Sequence, residues 1–110
     1  MSSNQTPEQR LTKQIMLYCG QEKGWLCFHR NVGKVKTIDG RFFDTGAPEG
    51  WPDLEIFTNN GQTIFCETKI HPRKPTSSQI KTIELLRKRG FLAFVAYSLE
   101  EFIENVKNVV

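Results

Sequence analysis

Hydrophobic positions recur along this chain with two different periods, and each marks a different kind of element. Leu11, Ile15, Tyr18 and Cys19 fall at helical spacing behind Thr6-Pro7-Glu8-Gln9, which reads as an N-cap, a first-turn proline and the closing glutamine of a capping box. A first helix is predicted from Pro7 to near Gly20. Trp25-Leu26-Cys27-Phe28-His29-Arg30 reads as a short apolar strand, and Val35-Lys36-Thr37-Ile38 either pairs with it or belongs to a loop. Asp39-Gly40 and the stretch from Asp44 to Gly50 are turn-rich, so residues 39–50 are expected to be the least regular part of the chain. Next come two runs, Pro52-Asp53-Leu54-Glu55-Ile56-Phe57 and Thr63-Ile64-Phe65-Cys66-Glu67-Thr68-Lys69-Ile70, on either side of Asn59-Asn60-Gly61-Gln62. Asn-Gly tolerates positive φ at both residues and predicts a tight antiparallel hairpin. Thr76 caps a helix that runs to about Arg89 and stops at Gly90, with Gln79, Ile83 and Leu86 on one face. Phe91 to Tyr97 is almost continuously apolar, as in a strand covered on both faces. Ser98-Leu99-Glu100-Glu101 opens a last helix with a capping box, its buried side being Phe102, Ile103, Val106 and Val110. Strand, helix and strand in succession over 63–97 imply a right-handed crossover and a parallel pair. The fold class is therefore α/β, a small mixed sheet flanked by helices.

A length of 110 residues suits a single domain spanning 1–110 with one core. The chain has no apolar run long enough to cross a membrane, and Met1-Ser2-Ser3-Asn4-Gln5 lacks the apolar segment of a secretory signal, so a soluble, cytoplasmic protein is expected. Cys19, Cys27 and Cys66 are odd in number and scattered, which argues for buried thiols and against a zinc site or disulfide framework. The net charge of +3 is too small to imply a polyanionic partner, but its distribution is uneven. Lys69, His71, Arg73 and Lys74 follow the central strand, and Lys81, Arg87, Lys88 and Arg89 lie on the next helix. Such a rim either binds a polyanion or is an ordinary solvated surface.

The hairpin is where chemistry concentrates. Alternation puts Glu67 and Lys69 on one face with Phe65, about 7 Å apart, and Ile64, Cys66 and Thr68 on the other. Asp53 opens the partner strand and is carried back towards Glu67. Two close carboxylates raise one another's pKa unless a cation lies between them, and Mg²⁺ accepts one or two carboxylates while keeping other positions for water and phosphate oxygens. Lys69 then supplies a fixed positive charge beside the reacting group. The alternative reading is a surface hairpin with a cross-strand ion pair. Gln79 points inward near its helix start, where it can complete the capping box of Thr76. Glu8, spaced with Leu11 and Ile15, lies on the buried side of its helix, where an unpaired carboxylate is costly, unless it simply favours the helix N-terminus electrostatically. His29 and His71 have no partner at metal-ligand spacing and read as structural or phosphate-facing. No Gly-rich phosphate loop, adenine pocket or nucleophilic Ser or Cys constellation stands out in the sequence, so no nucleotide cofactor is expected and phosphoryl transfer from ATP and acyl chemistry are poor alternatives.

Taken in order, Gly50-Trp51-Pro52-Asp53, Phe65-Cys66-Glu67-Thr68-Lys69, Thr76-Ser77-Ser78-Gln79, and Gly90 with Val95-Ala96-Tyr97-Ser98-Leu99-Glu100-Glu101 resemble the virus-type replication-repair nuclease (VRR-NUC) domain of the PD-(D/E)XK nuclease superfamily. The resemblance covers nearly the whole chain. It implies a restriction-endonuclease-like core and Mg²⁺-dependent hydrolysis of DNA phosphodiester bonds to 5′-phosphate and 3′-hydroxyl ends, with Mn²⁺ able to substitute. By the same resemblance Asp53, Glu67 and the main-chain carbonyl of Thr68 hold the metal, with Glu8 joining directly or through water. Lys69 orients water or stabilises charge, and Gln79 belongs to the active site. Arg30, Trp51, His71, Arg73, Lys74 and Lys81 are the expected DNA contacts. Trp51 is a departure, since a smaller residue is expected in that turn, and it bears on substrate contact more than on catalysis. Stand-alone members of this family, from phages and bacteria, imply a homodimer that cuts Holliday junctions, with residues 31–50 and Val106, Val109 and Val110 as interface candidates. The alternatives are a flap, other branched-DNA or restriction-type nuclease, and a catalytically silent DNA-binding module.

Overall fold

Helix α1 spans Pro7–Leu17 and starts as its sequence dictates: Thr6 Oγ1 accepts from Gln9 N, and Thr6 N donates back to Gln9 Oε1 at 2.9 Å. The computed structural model describes residues 5–30, 34–36, 38–40, 42–44 and 48–110. The chain does not leave the helix at Gly20. Tyr18–Lys23 widen into a π-helical turn that ends at left-handed Gly24, whose N–H donates to Cys19 O. Gln21, Glu22 and Lys23 are good helix formers, and one glycine among them weakens the helix without ending it. Trp25 N also reaches Cys19 O, at 2.9 Å, and both residues are buried.

Strand β1 (Leu26–His29) does not pair with the segment around Val35; instead β2 (Lys34–Lys36) and β3 (Phe42–Asp44) form their own antiparallel ribbon. The expectation of an irregular 39–50 stretch is thus corrected at 42–44. Asp39-Gly40 marks a turn between two short strands, and the remaining positions of that stretch, 41 and 45–47, lie outside the described residues. The main sheet adds β4 (Leu54–Phe57), β5 (Thr63–Thr68) and β6 (Leu92–Ala96) in the order β1-β4-β5-β6. β1 and β5 are antiparallel to β4, while β6 runs parallel to β5 after the crossover helix α2 (Ser77–Lys88). This is the mixed α/β sheet that the strand-helix-strand order implies.

The β4–β5 connection lies where the two runs place it, but without positive φ at both residues of Asn-Gly. Phe57 pairs with Thr63, leaving five residues in the loop, and positive φ occurs at Gly61 but at neither asparagine. Thr58 closes it, accepting from Gly61 N through its carbonyl and from Gln62 N through its hydroxyl. On one face of the sheet Leu54, Ile56, Ile64, Cys66, Phe94 and Ala96 pack against Leu11, Ile15 and Cys19 and against Phe102 and Val106 of α3 (Leu99–Val106). On the other, Phe65 and Ala93 pack against Ile83 and Leu86 of α2. Ser98 Oγ accepts from Glu101 N, but Glu101 Oε1 takes the N–H of Tyr97 and not that of the cap residue, so the last capping box is half formed. Val106 is core and is not available to a subunit interface, Val109 packs partly against the core, and Val110 is exposed, contrary to its expected burial. Among the described residues no helix is long and apolar enough to cross a membrane.

Candidate active site

The sheet register brings the candidate residues together. Leu54 lies opposite Cys66, so continuing one step places Asp53 across from Glu67. Arg30 N donates to Asp53 O at 2.7 Å, which extends the β1–β4 pairing to the same level. Lys69 N donates to Ala96 O at 3.1 Å and carries the β5–β6 ladder one residue beyond Thr68. The segment before Asp53 is keyed to α2 by Gly50. A Cβ on Gly50 would stand 2.7 Å from Ser78 C and O, and its φ of +89° is unfavourable for any other residue. The loop therefore docks on the first turn of the helix that presents Gln79.

Each carboxylate is tied through one oxygen. Asp53 Oδ2 accepts from Thr68 N at 3.0 Å and from Thr68 Oγ1 at 2.9 Å. Glu67 Oε2 accepts from Gln79 Nε2 at 2.9 Å, and Lys69 Nζ stands 3.8 Å from the same oxygen. Gln79 fills both of its expected roles at once. Its Oε1 accepts from Thr76 N at 2.8 Å to close the capping box, which leaves its NH₂ aimed at Glu67.

Glu67 is only 2% exposed, and its Oε1 is buried without a hydrogen-bond partner among the described residues. Burial, and next the charge of Asp53, push its carboxyl up to about 8, against the opposing pull of Lys69. An orphaned buried oxygen beside a second carboxylate is costly unless a proton or cation fills the gap. The donor set is all oxygen, and among the described residues no three His, Cys, Asp or Glu side chains converge as a metal-binding group. Two carboxylates suit a hard ion that keeps waters and substrate oxygens in its shell, as Mg²⁺ does, so the residues fit that ion.

A cleft of about 480 Å³ opens on Asp53 and Thr68 and is lined also by Glu8, Thr12 and His29. Glu8 is half-buried in the first turn of α1, so the structure brings it to the same cleft without gathering it into a three-carboxylate cluster. Arg30 and Trp51 converge on a residue that sequence reasoning missed. Glu55 Oε2 accepts from Trp51 Nε1 at 2.7 Å and pairs with Arg30 Nε at 3.2 Å. The Trp51 ring also meets Phe65 edge-on at 5.6 Å, which makes it a strut between the loop and the sheet. The alternating pattern of β4 was the available signal for Glu55, since it puts Glu55 on the same face as Phe57 and away from Leu54 and Ile56. His71 is exposed and stacks on Tyr97 at 4.1 Å with the rings 12° from parallel. Arg73, Lys74 and Lys81 are exposed and make no ion pair among the described residues, whereas Arg87 is tied to the sheet through Ala93 O at 2.7 Å. All three cysteines are free thiols, with burial pushing Cys66 well above its ordinary range.

No family model and no curated protein sequence matches the chain. Solved structures do. One described as a VRR_NUC domain superposes with a TM-score of 0.68 at 24% identity, over 96% of this chain and 100% of the other. A second, described as a VRR_NUC domain protein, gives 0.65 at 17% identity over 97% and 90%. Superposing on these structures over nearly its full length, this chain has the fold of the VRR-NUC domain.

Proposed function

We propose that this protein is a metal-dependent, structure-specific DNA endonuclease, and that it acts as a homodimer on four-way junctions. The observation that carries the nuclease reading is the Asp53–Glu67–Lys69 cluster, in which Glu67 Oε1 is buried without a hydrogen-bond partner among the described residues while Lys69 Nζ stands 3.8 Å from Oε2. Asp53, Glu67 and the main-chain carbonyl of Thr68 are the proposed ligands for Mg²⁺, or for Mn²⁺ in its place. The ion would polarise the phosphoryl group and acidify water. Lys69 stabilises the charge that builds on the phosphoryl oxygens and orients the attacking water. Gln79 fixes the rotamer of Glu67 through Nε2, and Glu8, on the wall of the cleft that opens on Asp53, would join the metal site directly or through water. In-line attack opposite the 3′ oxygen leaves a 5′-phosphate and a 3′-hydroxyl. The paired cuts of a four-way junction call for two sites related by a two-fold axis.

The test is cleavage of labelled four-way junction, flap and linear duplex by purified protein with Mg²⁺. Paired nicks in the junction that a DNA ligase reseals are expected, and Asp53→Asn is expected to lose them. No cleavage of any substrate with either Mg²⁺ or Mn²⁺ overturns the nuclease reading. A monomeric mass by light scattering with cleavage of flaps alone overturns only the junction-resolving dimer.

The basic segment after β5 supplies a further expectation. Arg73 and Lys74 are exposed and follow the cluster closely in the chain, so replacing both with alanine should weaken binding to all DNA sequences alike. The slope of log K against log salt should fall by about one unit for each phosphate that is no longer neutralised. An unchanged slope makes these side chains part of a solvated loop only.

A further inference from the structure

One polar connection in the core takes no part in the proposed chemistry. Thr12, on the buried side of α1, is 5% exposed, and Thr68, at the end of β5, is 1% exposed. Their hydroxyls stand 3.1 Å apart, joining residues that are distant in sequence. The direction of this bond follows from its surroundings. Asp53 in its ionised form accepts only, so the Thr68 hydroxyl at 2.9 Å must spend its single proton on Asp53 Oδ2. Thr68 Oγ1 is then limited to accepting, and Thr12 must be the donor. The result is a one-way chain from Thr12 Oγ1 to Thr68 Oγ1 to Asp53 Oδ2.

Valine would fill either volume with no polar atom to satisfy, so packing alone sets no demand for a hydroxyl at the two positions, which border the cleft that opens on Asp53. The chain's effect falls on Asp53. With Thr68 N as the second donor, Oδ2 is held from two directions, and every hydrogen bond that the described residues give to the Asp53 carboxylate falls on that oxygen. Oδ1 is thereby left for another ligand in a fixed orientation.

We propose that Thr12 and the Thr68 side chain form a directed hydroxyl relay that orients Asp53 for cation binding, which makes Thr12, on a different element from both carboxylates, a positioning residue of the site. This rests on the reading of Asp53 as a cation ligand. Partners that orient a metal-binding carboxylate from behind typically govern affinity by about 10- to 100-fold. The relay should therefore act on the affinity for the ion and leave turnover nearly intact once the ion is saturating.

Binding of Mn²⁺ alone, followed by the loss of the free-ion resonance in electron paramagnetic titration at pH 8.5, reads this out. Thr12→Val should weaken Mn²⁺ binding about tenfold, Thr68→Val at least as much, and Thr12→Ser should bind as wild type. Because Thr12 acts only through Thr68, the double variant Thr12→Val/Thr68→Val should bind no more weakly than Thr68→Val. Cleavage by Thr12→Val at saturating Mn²⁺ should return to within about threefold of wild type, a recovery that a general packing defect would not show. If Thr12→Val fails to fold by circular dichroism, the contrast between Thr12→Ser and Thr12→Ala carries the same test. Wild-type affinity in Thr12→Val together with loss of binding in Asp53→Asn overturns the relay and leaves the cation site standing. Additive losses in the double variant overturn it in favour of a packing role. Undiminished binding in Asp53→Asn overturns both, since the relay would then have nothing to orient.

Discussion

Glu67→Gln should abolish cleavage and, at the same time, make the cation-free protein more stable at pH 8. Both effects come from one cause. Burial and the Asp53 charge push the Glu67 carboxyl from 4.5 up to about 8 in the folded chain. Between those two values the folded protein holds a proton that the unfolded chain has released. For this group the sign is the reverse of an ion-paired carboxylate: its contribution favours folding at low pH, declines as pH rises through the window, and is flat above about 8. At about 1.4 kcal/mol per unit the full change is on the order of 5 kcal/mol. Glutamine keeps the shape, removes the titration, and can point its NH₂ at Asp53 while its oxygen accepts from Gln79. Thermal unfolding without divalent ions should therefore fall for wild type between pH 5.5 and 8.5 and stay nearly level for Glu67→Gln. The same proton competes with a cation, so wild-type Mn²⁺ affinity should rise about tenfold per pH unit up to about 8 and then level off. Cleavage by the variant should drop on the order of 10³-fold, the scale on which a preorganised charge at the reacting centre is felt. A wild-type stability that is flat across this range sinks the shared explanation.

The parts of this molecule that could be read from sequence are those fixed by short-range rules. Thr6-x-x-Gln9 and Thr76-x-x-Gln79 announced capping boxes because the partners sit three residues apart and need nothing else. The apolar run in β6 announced a doubly covered strand, and the alternation in β5 separated Glu67 from Thr68 correctly. What stayed hidden depends on partners remote in sequence. Gly20 looked like a helix end because the pull of buried Trp25 on the following turn is tertiary. Asn-Gly announced the turn but suggested positive φ at both residues, whereas Thr58 offers the loop extra hydrogen bonds that a local rule does not count. The two roles of Gln79 appeared as alternatives in sequence, since only the structure shows that one amide end serves the helix and the other serves Glu67. Thr12 drew no attention on a helix, although its spacing of three to Ile15 and seven to Cys19 already placed it on the buried side. Glu55 was passed over as one more strand polar residue, yet it collects both Trp51 and Arg30, two residues expected to meet substrate.

Lys69→Met should separate catalysis from cation binding. The lysine backbone is pinned to β6 through Ala96 O, its side chain is 13% exposed, and Nζ lies 3.8 Å from Glu67 Oε2. Methionine preserves the length and apolar stem and deletes only the charge, so the fold and the positions of Asp53 and Glu67 should persist. Turnover with saturating Mg²⁺ should fall about 10²- to 10³-fold, because a fixed positive charge is lost where negative charge builds. Mn²⁺ affinity measured at high pH should stay within about threefold of wild type, since Lys69 holds no position in the proposed ligand set. At lower pH a second consequence follows. The Lys69 charge pulls the Glu67 carboxyl down against burial and Asp53. Without it, Glu67 binds its proton more tightly, and the pH at which Mn²⁺ affinity levels off should move above the wild-type position. Catalysis and affinity thus report two distinct interactions of one ammonium group, the first with substrate and the second with Glu67. A variant that cleaves at the wild-type rate removes Lys69 from the mechanism. One that cleaves poorly but keeps the wild-type pH profile of Mn²⁺ binding would show that its charge does not reach Glu67, and the 3.8 Å approach would then be proximity without coupling.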